Sequence, residues 1–205
     1  MAHIFINNQV VPELSKFCDL ETLINQITLL SNSDDKYIAE VKVNGGAIDL
    51  LIEHISERLV DTDTVSFKLL TSIELAFEVI DSTHKYIECI IKKIDEVVAN
   101  CLKGNSNEVN ACFTEVIELI DIFTQLITKT IATFKQANLI GRETQVEIHE
   151  IESQLLMILK GLLNAKELNN ISMLCDLLQY ELIDNLTRWK IQIFSKIKSK
   201  HGQHL

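Results

Sequence analysis

Asp81 and His84 set a carboxylate and an imidazole three residues apart, on one face of what the surrounding pattern predicts to be a helix. Helical bundles hold metal ions with this kind of spacing, so the pair is a candidate ligand set. Carboxylate-bridged di-iron bundles, however, need two Glu-x-x-His copies and two further glutamates. Here the pair carries Asp, no second copy exists, and His149 with Glu152 has the reverse order. Asp81 and His84 are thus weak metal candidates. The ordinary reading of His84 is a hydrogen-bonded core residue or a polar position that sets helix register. No cofactor is predicted.

Nucleophilic catalysis needs a thiol or hydroxyl beside a base that a third group orients. The five cysteines, Cys18, Cys89, Cys101, Cys112 and Cys175, are odd in number, widely spaced and never arranged as C-x-x-C. That pattern predicts reduced, buried and inert thiols rather than a disulfide framework or a zinc site. Cys101 and Cys112 flank the tip of a predicted helical hairpin and are the one pair with a redox option. Asn44-Gly45-Gly46-Ala47 lacks the Lys-Ser/Thr of a phosphate loop and reads as a turn.

The charge anomaly lies at the C-terminus. From Asn185 to Leu205 there is no acid, while Arg188, Lys190, Lys196, Lys198 and Lys200 surround Trp189 and Phe194. These seven residues are the candidate interaction site, a basic amphipathic helix able to meet an acidic partner, an anionic membrane or nucleic acid. The competing reading is structural: cations complement the C-terminal macrodipole and Trp189 fits the core.

The elements that must carry these residues fall into two parts. Residues 3–11 read as a hairpin about Asn7-Asn8, stopped by Pro12. Asp19 caps a helix with apolar positions Leu20, Leu23, Ile24, Ile27 and Leu30, and Tyr37–Val43 is a third strand running into Asn44-Gly45. Residues 48–59 have the period of a short helix, and Val65, Phe67 and Leu69 alternate as a strand. Thr71-Ser72-Ile73-Glu74 is a capping box, which ends a 1–70 domain and begins a 71–205 domain. The order ββαβ(α)β is that of a β-grasp unit.

Beyond residue 71, Ile73, Phe77, Ile80, His84, Ile87, Ile91, Ile94, Val98 and Cys101 are spaced alternately by four and three, a heptad seam. Val109 to Phe134, Ile148 to Leu162 and Ile171 to Ile197 supply further apolar rows, separated at Gly104 and Gly141 and weakened at Asn169-Asn170. The expected fold is mainly α: a small N-terminal α/β, β-grasp-like unit followed by an antiparallel four-helix bundle. Extra apolar positions such as Leu119, Ile122 and Leu126 leave room for a homodimer.

Composition narrows the function classes. With 19 basic and 29 acidic side chains the net charge is −10, which disfavours nucleic acid. The N-terminal stretch lacks the pattern of a secretory signal and no apolar run is long enough for a transmembrane segment, so a cytoplasmic protein is expected. The Val41-Lys-Val-Asn-Gly45 turn, the strand entering a long helix at 64–74, and Asp176-Leu-Leu-Gln-Tyr-Glu-Leu182 followed by Trp189 resemble an uncharacterised bacterial family of about this length. The resemblance implies a bacterial origin and the two-part architecture, and it carries no catalytic residue. The expectation is a non-enzymatic protein that acts through a protein partner. A small-molecule or metal-responsive sensor near His84 is one alternative, and a motility- or secretion-associated chaperone another.

Overall fold

The computed structural model describes residues 2–17, 19–32, 35–48, 58–104 and 106–201. The chain divides into two compact units, Met1–Leu75 and Ala76–Leu205. The predicted helix at 48–59 falls almost wholly on residues outside the described ones, as does Cys18.

In the first unit, β1 (His3–Ile6) and β2 (Gln9–Val10) form the expected hairpin. Asn7 and Asn8 take φ of 48° and 66°, the paired left-handed conformations of a two-residue turn. Pro12 opens a 3-10 turn over Pro12–Lys16 that the apolar pattern does not signal. Helix α1 (Leu20–Asn32) follows, with the Thr22 N–H donating to the Asp19 carboxylate at 2.7 Å as an N-cap. Strand β3 (Lys36–Val43) turns at Asn44-Gly45 into a short β4 (Gly46–Ala47), and β5 (Thr64–Thr71) completes the sheet. The strand order is β2-β1-β5-β3-β4, with β1 parallel to β5 and the other pairs antiparallel. This mixed sheet, crossed between its hairpins by α1, is the β-grasp arrangement that the element order anticipates. Val65, Phe67 and Leu69 of β5 are buried with Leu20, Leu23 and Ile27 of α1.

Two turn asparagines clamp β5. Asn7 donates from Nδ2 to the Leu69 carbonyl at 3.0 Å and accepts the Leu69 N–H at 2.8 Å. Asn44 accepts the Thr64 N–H at 2.9 Å and donates to the Asp63 carboxylate at 2.9 Å. Each side chain thus extends the strand ladder past the point where its own backbone turns away.

The capping box forms as expected. Glu74 Oε2 accepts the Thr71 N–H at 2.8 Å, and Thr71 Oγ1 accepts the Glu74 N–H at 3.2 Å. It ties the first turn of α2 (Ser72–Lys103) to the end of β5, so the unit boundary falls within that turn, beyond residue 70.

The second unit holds α2 beyond its first turn, α3 (Ser106–Gln136), α4 (Arg142–Glu167) and α5, a continuous helix over residues 171–201. The rows read for α3 and α4 are the buried ones, except that Phe113 of α3 is half-buried. The α2 row needs correction. Its buried face is Ala76, Ile80, Thr83, Ile87, Ile90, Ile94, Val97, Val98 and Cys101: Ile80, Ile87, Ile94, Val98 and Cys101 belong to the expected seam, while Ala76, Thr83 and Ile90 stand one residue before Phe77, His84 and Ile91. An apolar stripe wider than a strict two-position seam admits both registers, and packing selects the one that keeps His84 at the edge.

Neighbouring helices run antiparallel. Phe77 packs at a tilt against Phe134 with ring centroids 4.8 Å apart and the Tyr86 hydroxyl donates to the Leu119 carbonyl at 3.0 Å, joining α2 to α3. Lys166 of α4 lies 5.1 Å above the Phe113 ring of α3. Asn185 of α5 donates to the Ile151 carbonyl of α4 at 3.0 Å, and Lys190 of α5 pairs with Glu88 of α2 at 3.3 Å.

Helix α5 opens at Asn170, whose Oδ1 accepts the Met173 N–H at 3.1 Å, after Asn169 at φ 50° has broken the preceding helix. It contains two π-helical turns, Leu177–Leu182 and Trp189–Phe194. Its buried row Leu174, Leu178, Leu182, Leu186, Trp189, Ile193 and Ile197 spans six turns at about 3.8 residues each, too long for an α-helical stripe. One extra residue per π turn brings the rest back to about 3.5.

Candidate functional site

Asp81 and His84 share a face of α2 and each meets a side chain of α5. The Asp81 carboxylate is paired with Lys198 of α5. His84 is half-buried, edge-on to Phe194 with ring centroids 6.4 Å apart. Burial holds its pKa below the ordinary value, reinforced by the Lys198 and Lys190 charges and opposed by Asp81 and Glu88. Among the described residues no group of three or more His, Cys, Asp or Glu side chains could hold a metal ion.

Cys101 meets Cys175 of α5 rather than Cys112, which accepts a hydrogen bond from Asn100 at 3.6 Å. Burial, with Cys101 alongside, pushes the Cys175 thiol up to about 11. Such a thiol holds almost no thiolate at neutral pH and is a poor nucleophile.

The basic residues of α5 turn toward carboxylates of their own chain. Lys190 faces Glu88, Lys196 reaches Glu147 at 2.6 Å, and Lys198 takes Asp81. Arg188 donates to Gln154. Trp189 and Phe194 are buried, at 1% and 0% exposure, so neither is presented to a partner at the surface. The side chain of Lys200 lies outside the described residues.

Sequence reasoning missed Asn185. It sits on the buried stripe of α5 at 0% exposure, and its Oδ1 has no protein partner. Trp189, one turn on, has a buried indole N–H that is also unpaired. An amide within a row of leucines is the signal, one residue before Leu186.

Trp189 also underlies an apolar opening in this unit. A cavity of about 230 Å³ lies between α3 and α4, lined by Phe123, Thr124, Ile127 and Thr128 on one side and Glu152, Leu155, Leu156 and Leu159 on the other. The Thr124 and Thr128 hydroxyls are spent on carbonyls of their own helix, at 2.8 Å each. Leu156 and Leu163, on the same face of α4, are 54% and 59% exposed.

A family match spans residues 78–192, more than half of the chain. The chain belongs to DUF8042, a domain of unknown function. The DUF8042 region contains all of α3 and α4, most of α2, and α5 as far as Gln192. It therefore includes Asp81, His84, Asn185, Trp189 and every residue lining the α3/α4 cavity. Phe194, Lys196, Lys198, Lys200 and the small N-terminal unit lie outside it. The Asp176–Leu182 phrase and Trp189 fall within the DUF8042 match, whereas the Val41–Gly45 turn does not. No curated protein and no solved structure matches the chain. No described helix is long and apolar enough to cross a membrane.

Proposed function

We propose that this protein works in the cytoplasm as a binding module for another protein rather than as an enzyme, with the α3/α4 groove of the DUF8042 region as its docking surface. The observation that carries the reading is the groove itself. It is an apolar opening of about 230 Å³ beside two leucines more than half exposed, whereas the α5 cations that the amino-acid pattern nominates are engaged with Glu88, Glu147 and Asp81. Exposed apolar strips of this kind on helical units are surfaces on which partners dock.

The test compares capture from the native host by the full chain, by Leu156→Glu with Leu163→Glu, and by Leu102→Glu. Leu102 is 84% exposed in the last turn of α2 and serves as a control away from the groove. A partner held by the parent chain and the control but lost by the groove variant supports the reading. Equal capture by all three overturns it.

A further inference from the structure

We infer that the occupant of the α3/α4 groove is an amphipathic helix of a partner protein, with basic residues flanking its apolar face. The inference rests on the docking reading above and adds the chemistry of the partner.

The shape favours a helix. Leu156, Leu159 and Leu163 succeed one another by three and four along α4, a row about 10 Å long at 1.5 Å per residue. That row presents side chains and no free strand edge, because α3 and α4 satisfy their backbones internally. A partner read by such a row offers apolar anchors at i, i+3, i+4 and i+7, which is helix-in-groove docking. The cavity of about 230 Å³ takes one large anchor side chain above Trp189. It falls below the ~300–1,000 Å³ usual for small-molecule sites, and the leucine row runs on past it.

The charge selects the sign of the partner. Glu152 lines the groove and Asp121 lies one turn from Thr124 on α3. Residues 106–167 carry nine acidic and five basic side chains, and the whole chain has net charge −10. A helix with Lys or Arg beside its apolar face meets Glu152 and Asp121 with opposite charge.

Two probes test this on the full chain: a short amphipathic helix built of Leu and Lys, and a Leu/Glu counterpart with the same apolar pattern. Trp189 is the only tryptophan and lies under the groove, so its emission reports occupancy; calorimetry gives the affinity. The expected result is one-to-one binding of the Leu/Lys helix with a shifted Trp189 emission and no binding of the Leu/Glu helix. Affinity should fall about tenfold or more in Leu156→Glu and stay unchanged in Leu102→Glu, with helicity preserved in both. Equal binding of the two probes, no binding of either, or equal weakening by both substitutions overturns the inference. A parent chain that self-associates and becomes monomeric on Leu156→Glu identifies a second copy as the occupant and overturns it too. If the probes fail while the groove variant still loses its captured partner, the partner chemistry is wrong and the docking reading stands.

Discussion

Replacing the most deeply buried polar side chain of α5 should stabilise the protein. Asn185 has 0% exposure; its Nδ2 donates to the Ile151 carbonyl at 3.0 Å and its Oδ1 is unpaired. Asn185→Leu keeps the heavy-atom skeleton of the side chain. It removes one neutral hydrogen bond, worth about 1 kcal/mol net. The Ile151 carbonyl is not orphaned, because it lies inside α4 and accepts the N–H four residues on. The same substitution relieves an unpaired buried oxygen, about 1–3 kcal/mol, and adds apolar contact. The net expectation is a gain of about 1 kcal/mol. Asn185→Asp, nearly the same shape, sets a charge at a site without a cation and should cost several kcal/mol at neutral pH. Urea unfolding followed by far-ultraviolet circular dichroism and by Trp189 emission measures both. A Leu variant less stable by more than about 1 kcal/mol, with unchanged denaturant slope, refutes the reasoning and shows that Oδ1 has a partner in the folded chain.

Other perturbations have defined outcomes. Thr71→Ala and Glu74→Ala should each destabilise by about 1 kcal/mol and the double variant by much less than their sum, since both remove one reciprocal motif. The Thr71 N–H holds the Glu74 carboxyl below its usual range, so the box is intact above that range and weakens as pH falls through the folded value. Asn7→Ala should cost about 2 kcal/mol in thermal unfolding, because it removes two hydrogen bonds to Leu69 and leaves alanine at φ 48°. His84 has a depressed pKa when folded, so the unfolded chain binds its proton first on acidification. Stability should therefore be full above about pH 6.5 and fall as pH drops through the folded value. That slope should flatten in His84→Leu, and an unchanged slope would mean that other groups carry it. Iodoacetamide at neutral pH should label exposed Cys89 well before Cys175, which mass spectrometry of partly labelled native protein resolves.

What could be read from the residues depended on whether the signal was local. The Asn7-Asn8 and Asn44-Gly45 turns, the Asp19 cap and the Thr71–Glu74 box are each decided within four residues, and each forms. The buried rows of α3 and α4 follow closely from their apolar periodicity. Helix α2 offers two adjacent stripes, and no local feature chooses between Thr83 and His84 for the core; contacts with other helices do. The neighbour of Cys101 was not legible for the same reason. Cys101 and Cys112 are close along the chain, but the antiparallel return of α5 brings Cys175 to Cys101 instead. The α3/α4 groove was invisible because it depends on which flank of each core row faces its neighbour.

The acid-free C-terminal run is the plainest case of a one-dimensional signal changing meaning in three dimensions. In isolation its cations resemble a docking surface. In the fold, the acids that α5 lacks stand on α2 and α4. Moving from Lys190 to Lys198 advances eight residues along α5, while the partners Glu88 and Asp81 are seven apart on α2, two heptad turns. The extra residue is accounted for by the π turn Trp189–Phe194, which begins one residue before Lys190 and ends four before Lys198. Exposed ion pairs of this kind contribute about 0–1 kcal/mol each. Their larger effect is on alignment, because sliding α5 by a few residues separates both cations from their acids at once. The π turns and the cation spacing are two records of one register, which holds Trp189 under the α3/α4 groove.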